Sequence, residues 1–278
     1  MVKNIDNIDY SNHKIKKSNL NSNNTNLDDY LLNSVQEVII NNNVIEEMVM
    51  ESSNNIYQDR IKGDYKGYDS DCLDIIASRE HTRDEYGNWT GLAYNNKDEL
   101  VNDLDKLKDI YSDYEGFAYY NQNIYPENYK YDSIQEAGCC PTCFAMVATY
   151  LTGNNTFPTD VVEDFNPYCY ETGTDVTGEC FPDICEKYNI KPNRLDVHNK
   201  EQLLSELGEG NPIILNVIKG NFTGSGHYIT LLGLDNNGDV IVADPNNVAN
   251  SVKSYPIDLL MNQANDTNGA AWSFEMNK

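Results

Sequence analysis

The chain has 278 residues, 40% of them hydrophobic, and a formal net charge of −24. That length holds one large domain, or a catalytic domain of about 150 residues with an extension. Such negative charge opposes the phosphate contacts that bind nucleic acid or anionic membrane, and no stretch reaches the roughly 18 apolar residues of a membrane-spanning helix.

The start, MVKNIDNIDYSNHKIKKSNL, has lysines but lacks the apolar core of a secretory signal. It points to a cytoplasmic protein, or to one released without a conventional signal. Fourteen of the first sixty residues are Asn, a composition that cannot bury enough apolar surface to offset its ordering entropy. Residues 1–56 therefore read as a mobile Asn-rich segment, with one amphipathic stretch, LDDYLLNSVQEVII, able to dock. From 57 to 95 the chain is rich in Tyr, Gly and Asp and shows no sustained period. Leu100, Leu104, Leu107, Tyr111 and Tyr114 recur at three and four, which predicts an amphipathic helix ending near Gly116. Residues 57–116 form an N-terminal extension around that helix. Its apolar stripe must be covered, and the following domain is the nearest surface. A removable segment that blocks the cleft is the alternative.

From 117 to 278 the pattern is more regular. CPTCFAMVATYLTG reads as a helix with Pro141 in its first turn and Gly153 as its C-cap. GECFPDICEKYNI, NKEQLLSELGEG and PIDLLMNQA read as short helices. PIILNVI is a buried strand, HYITLLGLDNNGDVIVADP a hairpin about DNNG, and AAWSFEM a closing strand. Helices followed by antiparallel strands predict an α+β domain.

The chemistry gathers at QEAGCCPTCFAMVATYLTG. A cysteine at a helix N-terminus sits beside unpaired backbone N–H groups and the positive end of the helix dipole, which favour thiolate and can hold a developing oxyanion. A base is needed, and there are four histidines. His13 lies in the Asn-rich tail, His81 among charges in SREHTRDEY, and His198 at a solvated helix start. His227 follows GSG, where a substrate can approach, and opens a strand. The midpoint of His227 and Asp244 falls between Asp235 and Asn236, so a turn centred there opposes the two within about one residue. Opposed side chains share a face and suit an imidazole–carboxylate hydrogen bond.

AGCCPTCFAMVATYLTG followed by GSGHYITLLGLDNNGDVIVADPNN resembles the bacteriocin-leader-processing peptidases (peptidase C39-like) and their stand-alone relatives, a branch of the papain-like cysteine peptidases. The resemblance spans roughly 117–278, and ANSVKSYPIDLL with WSFE is similar to the family's ending. It implies a papain-like fold, a helical lobe facing an antiparallel β lobe, with Cys139 as nucleophile, His227 as base and Asp244 as orienting residue. The glycine expected after the nucleophile is Cys140 here, which makes Cys140 the competing nucleophile. Gln122, or else Gln135, takes the place of the family's oxyanion glutamine. The expected substrate is a peptide, a protein or a cell-wall peptide, with no cofactor and no metal, no nucleic-acid partner and no membrane span.

Other readings use the same residues. Transglutaminase-like acyltransferases and amidases also order Cys, His and Asp in this way. A non-catalytic binding module would keep the fold without the reaction. Cys140 and Cys143 form a CxxC that suits a redox pair, and with Cys180 and Cys185 they could hold zinc. Seven cysteines, an odd number that also includes Cys72 and Cys169, suit reduced thiols and argue against a full disulfide framework.

Overall fold

The computed structural model describes residues 70–129, 132–169, 180–267 and 269–277, the side chains of 166–169 excepted. The Asn-rich segment and its LDDYLLNSVQEVII stretch lie outside the described residues.

The first elements fall where the sequence shows no period. They are α1 (Ser70–Arg79) and a small hairpin of β1 (His81–Arg83) and β2 (Trp89–Leu92). Three- and four-residue segments carry too few repeats for a periodicity to register. The predicted amphipathic helix is α2 (Lys97–Ile110), continued by a tight turn over Tyr111–Asp113. Asn96 caps it by accepting the Glu99 N–H, while the Glu99 carboxylate accepts the Asn95 N–H, so two otherwise unpaired donors are satisfied. Leu100, Leu104 and Leu107 are buried in the same core as Phe144 and Met146.

A two-residue pair, β3 (Asn128–Tyr129) with β4 (Asp132–Ser133), leads through α3 (Ile134–Ala137) into α4 (Cys139–Thr152). Every residue of α4 from Cys140 to Thr149 is buried, and Gly153 closes it with φ of 68°, a left-handed conformation that glycine adopts at little cost. Next come α5 (Pro158–Cys169), α6 (Phe181–Lys187), β5 (Ile190–Leu195), α7 (Lys200–Gly208), β6 (Ile213–Ile218), β7 (Gly226–Leu234) and β8 (Val240–Ala243). The chain ends with α8 (Val248–Ser251), β9 (Ser254–Tyr255), α9 (Ile257–Gln263) and β10 (Ala271–Met276).

Six strands form one antiparallel sheet in the order β5-β10-β6-β7-β8-β9. The last strand is thus an inner one, between β5 and β6. β5 itself is hard to read because Pro192 and three polar residues interrupt it. It occupies a sheet edge, where a proline's missing N–H is tolerated. One face of the sheet, with Ile214, Tyr228, Leu232 and Phe274, packs on α4 and its neighbours. The other, with Leu215, Ile229, Leu231 and Val242, is covered by Leu203 and Leu207 of α7 and Leu260 of α9. Burial on both faces explains why β6 is apolar except at Asn216.

Two expectations are corrected. The β7–β8 turn is centred near Asn237, past the midpoint of His227 and Asp244, with Leu234 paired to Val240 and a bulge at Leu232 before Leu231 pairs with Val242. Extending that register sets Asp244 opposite Ile229, so His227 and Asp244 are diagonal neighbours, two residues apart on one face. Cys180 is disulfide-bonded, whereas Cys72, Cys139, Cys140, Cys143 and Cys185 are thiols. The chain therefore does not keep all of its thiols reduced, and Cys180 cannot also be a zinc ligand.

Candidate active site

Cys139 opens α4, and no side chain caps that helix. The backbone turn before it requires Gly138, because a Cβ there would lie 2.4 Å from the Ile134 carbonyl oxygen. α4 is tied to β7 by the Cys143 thiol, which donates to the Tyr228 carbonyl at 3.4 Å. That contact sets the helix start beside the residue preceding Tyr228, which is His227.

The His227 ring is 7% exposed, and its Nε2 lies 2.7 Å from Asp244 Oδ1. The other ring nitrogen, Nδ1, is left for the hydrogen bond between the imidazole and Cys139. Asp244 is fully buried. Its Oδ1 also accepts the Asn246 N–H, and its Oδ2 accepts from Asn250 Nδ2, each at 2.9 Å. Both carboxylate oxygens thus accept from donors, which offsets the cost of burying them. Ser251 Oγ accepts the Asp244 N–H, and Tyr119 donates to the Asp244 carbonyl at 2.7 Å.

The electrostatics follow from this geometry. Burial acts to lower the His227 pKa, but the charge and hydrogen bond of Asp244, with Cys139 beyond, outweigh it and hold the imidazole pKa above its ordinary value. Burial likewise raises the Cys139 pKa, and the His227 hydrogen bond and charge, with the N–H groups of Tyr228 and Cys140, bring it below the usual thiol value. Both directions favour a thiolate–imidazolium pair. Cys143, buried and lacking a cation, is pushed far the other way.

Gln122 sits in a short turn, Gln122–Ile124, and is 2% exposed. Its Nε2 donates to the carbonyls of Gln135 at 3.1 Å and Ile134 at 3.4 Å, directly ahead of Cys139. Its Oε1 is buried and unpaired among the described residues. Gln135 donates to the Asn123 carbonyl at 2.6 Å. Both glutamines line one cleft with Cys139 and His227. Cys140 is buried, at 2% exposure, and is not among the residues lining that cleft. The cleft also takes in His81, Arg83 and Trp89 from the β1–β2 hairpin. The sequence placed His81 merely among charges, and no spacing in it signals this approach.

The model of the peptidase C39-like family matches residues 114–273. The chain belongs to the peptidase C39-like family. None of the curated proteins matches it in sequence. Among solved structures it is similar to a protein from Bacillus anthracis assigned as a C39-like peptidase, at 18% identity over 57% of this chain and 94% of that one, with a TM-score of 0.42. It is also similar to the peptidase domain of Streptococcus ComA, a bifunctional ABC transporter involved in a quorum-sensing pathway. There the identity is 20% over 51% of this chain and 93% of that one, with a TM-score of 0.37.

The C39-like fold accounts for the two lobes seen here, the helical one around α4 and the antiparallel sheet that faces it. The family is one of cysteine peptidases, so peptides or proteins are its substrate class. Among the described residues of this C39-like chain, no helix is long and apolar enough to cross a membrane. None of their His, Cys, Asp and Glu side chains gather in threes that could hold a metal ion.

Proposed function

We propose that the chain is a cysteine peptidase that hydrolyses a peptide or isopeptide bond through a thioester on Cys139. The observation that carries this reading is the placement of His227 between Cys139 and the buried Asp244. His227 takes the thiol proton, and the Cys139 thiolate attacks the scissile carbonyl carbon. The oxyanion that forms is held by the N–H groups at the start of α4 and by Gln122 Nε2, which gives up its longer hydrogen bond, the one to the Ile134 carbonyl at 3.4 Å, to do so. His227 returns the proton to the leaving amine, and the C–N bond breaks to leave the thioester. Water then gives a proton to His227 and its hydroxyl to the acyl carbon, and the C–S bond breaks to release the acid and leave the Cys139 thiolate beside the His227 imidazolium. Asp244 keeps Nε2 protonated and steadies the imidazolium.

Cys139→Ala abolishes turnover, by a factor on the order of 10⁴ or more, while Cys140→Ala keeps most of it. Labelling by an electrophilic peptide probe, located by mass spectrometry, reports the nucleophile directly. A label on Cys140 rejects the assignment. Isolated cell-wall material and a peptide library, assayed in parallel, separate a wall peptide from a protein as the substrate.

The extension over 57–116 is, in this proposal, a structural part of the enzyme and not a removable block. Leu104 is 1% exposed, so Leu104→Ala is expected to destabilise the protein by about 2–5 kcal/mol. A variant with unchanged stability and raised activity would favour inhibition.

A further inference from the structure

The β1–β2 hairpin lies outside the family-matched residues 114–273, yet it walls the cleft that holds Cys139. Two contacts fix it there. Asn247 Nδ2 donates to the His81 carbonyl at 3.0 Å, three residues from Asp244. At the hairpin tip, Gly87 has φ of 74°, and a Cβ on it would lie 2.6 Å from the Thr223 carbonyl oxygen, in the loop that leads to His227. The tip is thus packed closely against the segment carrying the imidazole.

His81 and Arg83 share a strand face, and Arg83 pairs with Trp89 in the hairpin. The three side chains form one stack. The His81 and Trp89 rings are 4.1 Å apart at 14°, and the Arg83 guanidinium lies 5.3 Å from the Trp89 ring centre. Trp89 is 63% exposed. Among the described residues Arg83 donates one hydrogen bond, to the Gly87 carbonyl at 2.9 Å, from a guanidinium with five donors. Gly224 leaves room for it, since a Cβ there would lie 2.9 Å from Arg83 Nη1.

Arg79, the other arginine of the cleft, differs. It is paired with Glu136 and bonded to Asn123 Oδ1. Arg83 has no carboxylate partner among the described residues. The carboxylate whose charge reaches it, Asp244, is already engaged by His227, Asn246 and Asn250. A half-buried guanidinium, held in place by a ring and a carbonyl and with unused donors facing a cleft, is prepared for an anion. On a peptide substrate, the anion that matches a guanidinium is a carboxylate.

We propose that Arg83, supported by Trp89, is a specificity-determining subsite for a carboxylate of the substrate, an Asp or Glu side chain or a peptide's terminal carboxylate. The inference rests on the peptidase reading above. A library of internally quenched peptides is digested by the full chain, with Glu/Gln pairs at each position and each sequence as free acid and as C-terminal amide. The wild type is expected to favour the acidic member at one position, in kcat/KM, by about tenfold to a hundredfold, the range of a charge-assisted hydrogen bond. A preference among the Glu/Gln pairs identifies a side chain, and one between acid and amide identifies a terminus. In Arg83→Gln the ratio falls to near one, and in Arg83→Lys it is intermediate. Cys139-dependent turnover with wild-type ratios near one overturns the subsite alone, as does a ratio that Arg83→Gln leaves unaltered. The wild-type ratio is decisive even where a variant fails to fold. Turnover that survives Cys139→Ala, or no turnover of any peptide, overturns the peptidase reading and the subsite with it.

Discussion

His227 Nε2 and Asp244 Oδ1 meet at 2.7 Å across a hairpin whose register sets them two residues out of opposition. The bulge at Leu232 makes this possible. Without it, continuing the Leu234–Val240 register would place Asp244 opposite Thr230 and on the other face from His227. Diagonal neighbours have Cα atoms about 7–8 Å apart, a span that an imidazole and a carboxylate can close. Asp244→Asn is expected to lower kcat by roughly 10²–10⁴-fold. It should also move the alkaline limb of the pH profile to lower pH, because the Asp244 charge helps to raise the His227 pKa. A melt establishes that the variant is folded. An alkaline limb that stays in place would remove the orienting role.

The wild-type profile should be bell-shaped. As pH falls through the lowered Cys139 pKa the thiolate is protonated, and as it rises through the elevated His227 pKa the imidazolium is lost. Alkylation of Cys139 by iodoacetamide needs only the thiolate, so its rate should show the acid limb without the alkaline fall. An alkylation rate that first rises near the ordinary thiol range would contradict the ion pair.

Gly138→Ala tests the placement of the nucleophile. The new Cβ would lie 2.4 Å from the Ile134 carbonyl oxygen and 2.5 Å from that residue's Cγ2, so the backbone ahead of Cys139 must shift. The expected cost is about 1–3 kcal/mol of stability, with a fall in kcat on the order of 10²-fold from misalignment. Chemical denaturation and steady-state kinetics measure the two effects. A variant with wild-type kcat would show that the helix start tolerates displacement.

Glu80 makes folding stability depend on pH. It is 1% exposed and accepts the Val248 N–H and Asn121 Nδ2, each at 2.8 Å. Burial raises its pKa to about 8, against the opposing effect of those two donors. The folded state therefore binds a proton more tightly than the unfolded chain. The contribution is fully present below pH 4.5, the ordinary value, and is lost as pH rises through about 8. Thermal melts of the wild type should decline across that window, relative to Glu80→Gln, which has no carboxyl to titrate. Parallel curves for the two proteins would exclude Glu80 as the source.

The linear pattern carried much of the fold, because periodicity and punctuation are local. The stripe of Leu100, Leu104 and Leu107 specifies α2, and Gly153 ends α4 as a left-handed cap must. The two apolar runs about DNNG specify β7 and β8. Family membership was equally legible, since the blocks around Cys139, His227 and Asp244 stand in order along the chain. β5 was not, because an edge strand satisfies fewer constraints and can hold Pro192.

What the amino-acid order determined by itself was most of the element types, many core-facing residues and the set of candidate residues for the site. Tertiary structure alone decided how those residues meet. A bulge of one residue reverses which face Asp244 occupies, and bulges leave little mark on composition. It also decided that His81, Arg83 and Trp89 stand at the cleft, from a hairpin at least 47 residues before Cys139. Contacts between segments so far apart depend on packing of the whole core. No short-range pattern encodes them, because the spacing of residues along a chain limits only what lies within a turn or a strand pair.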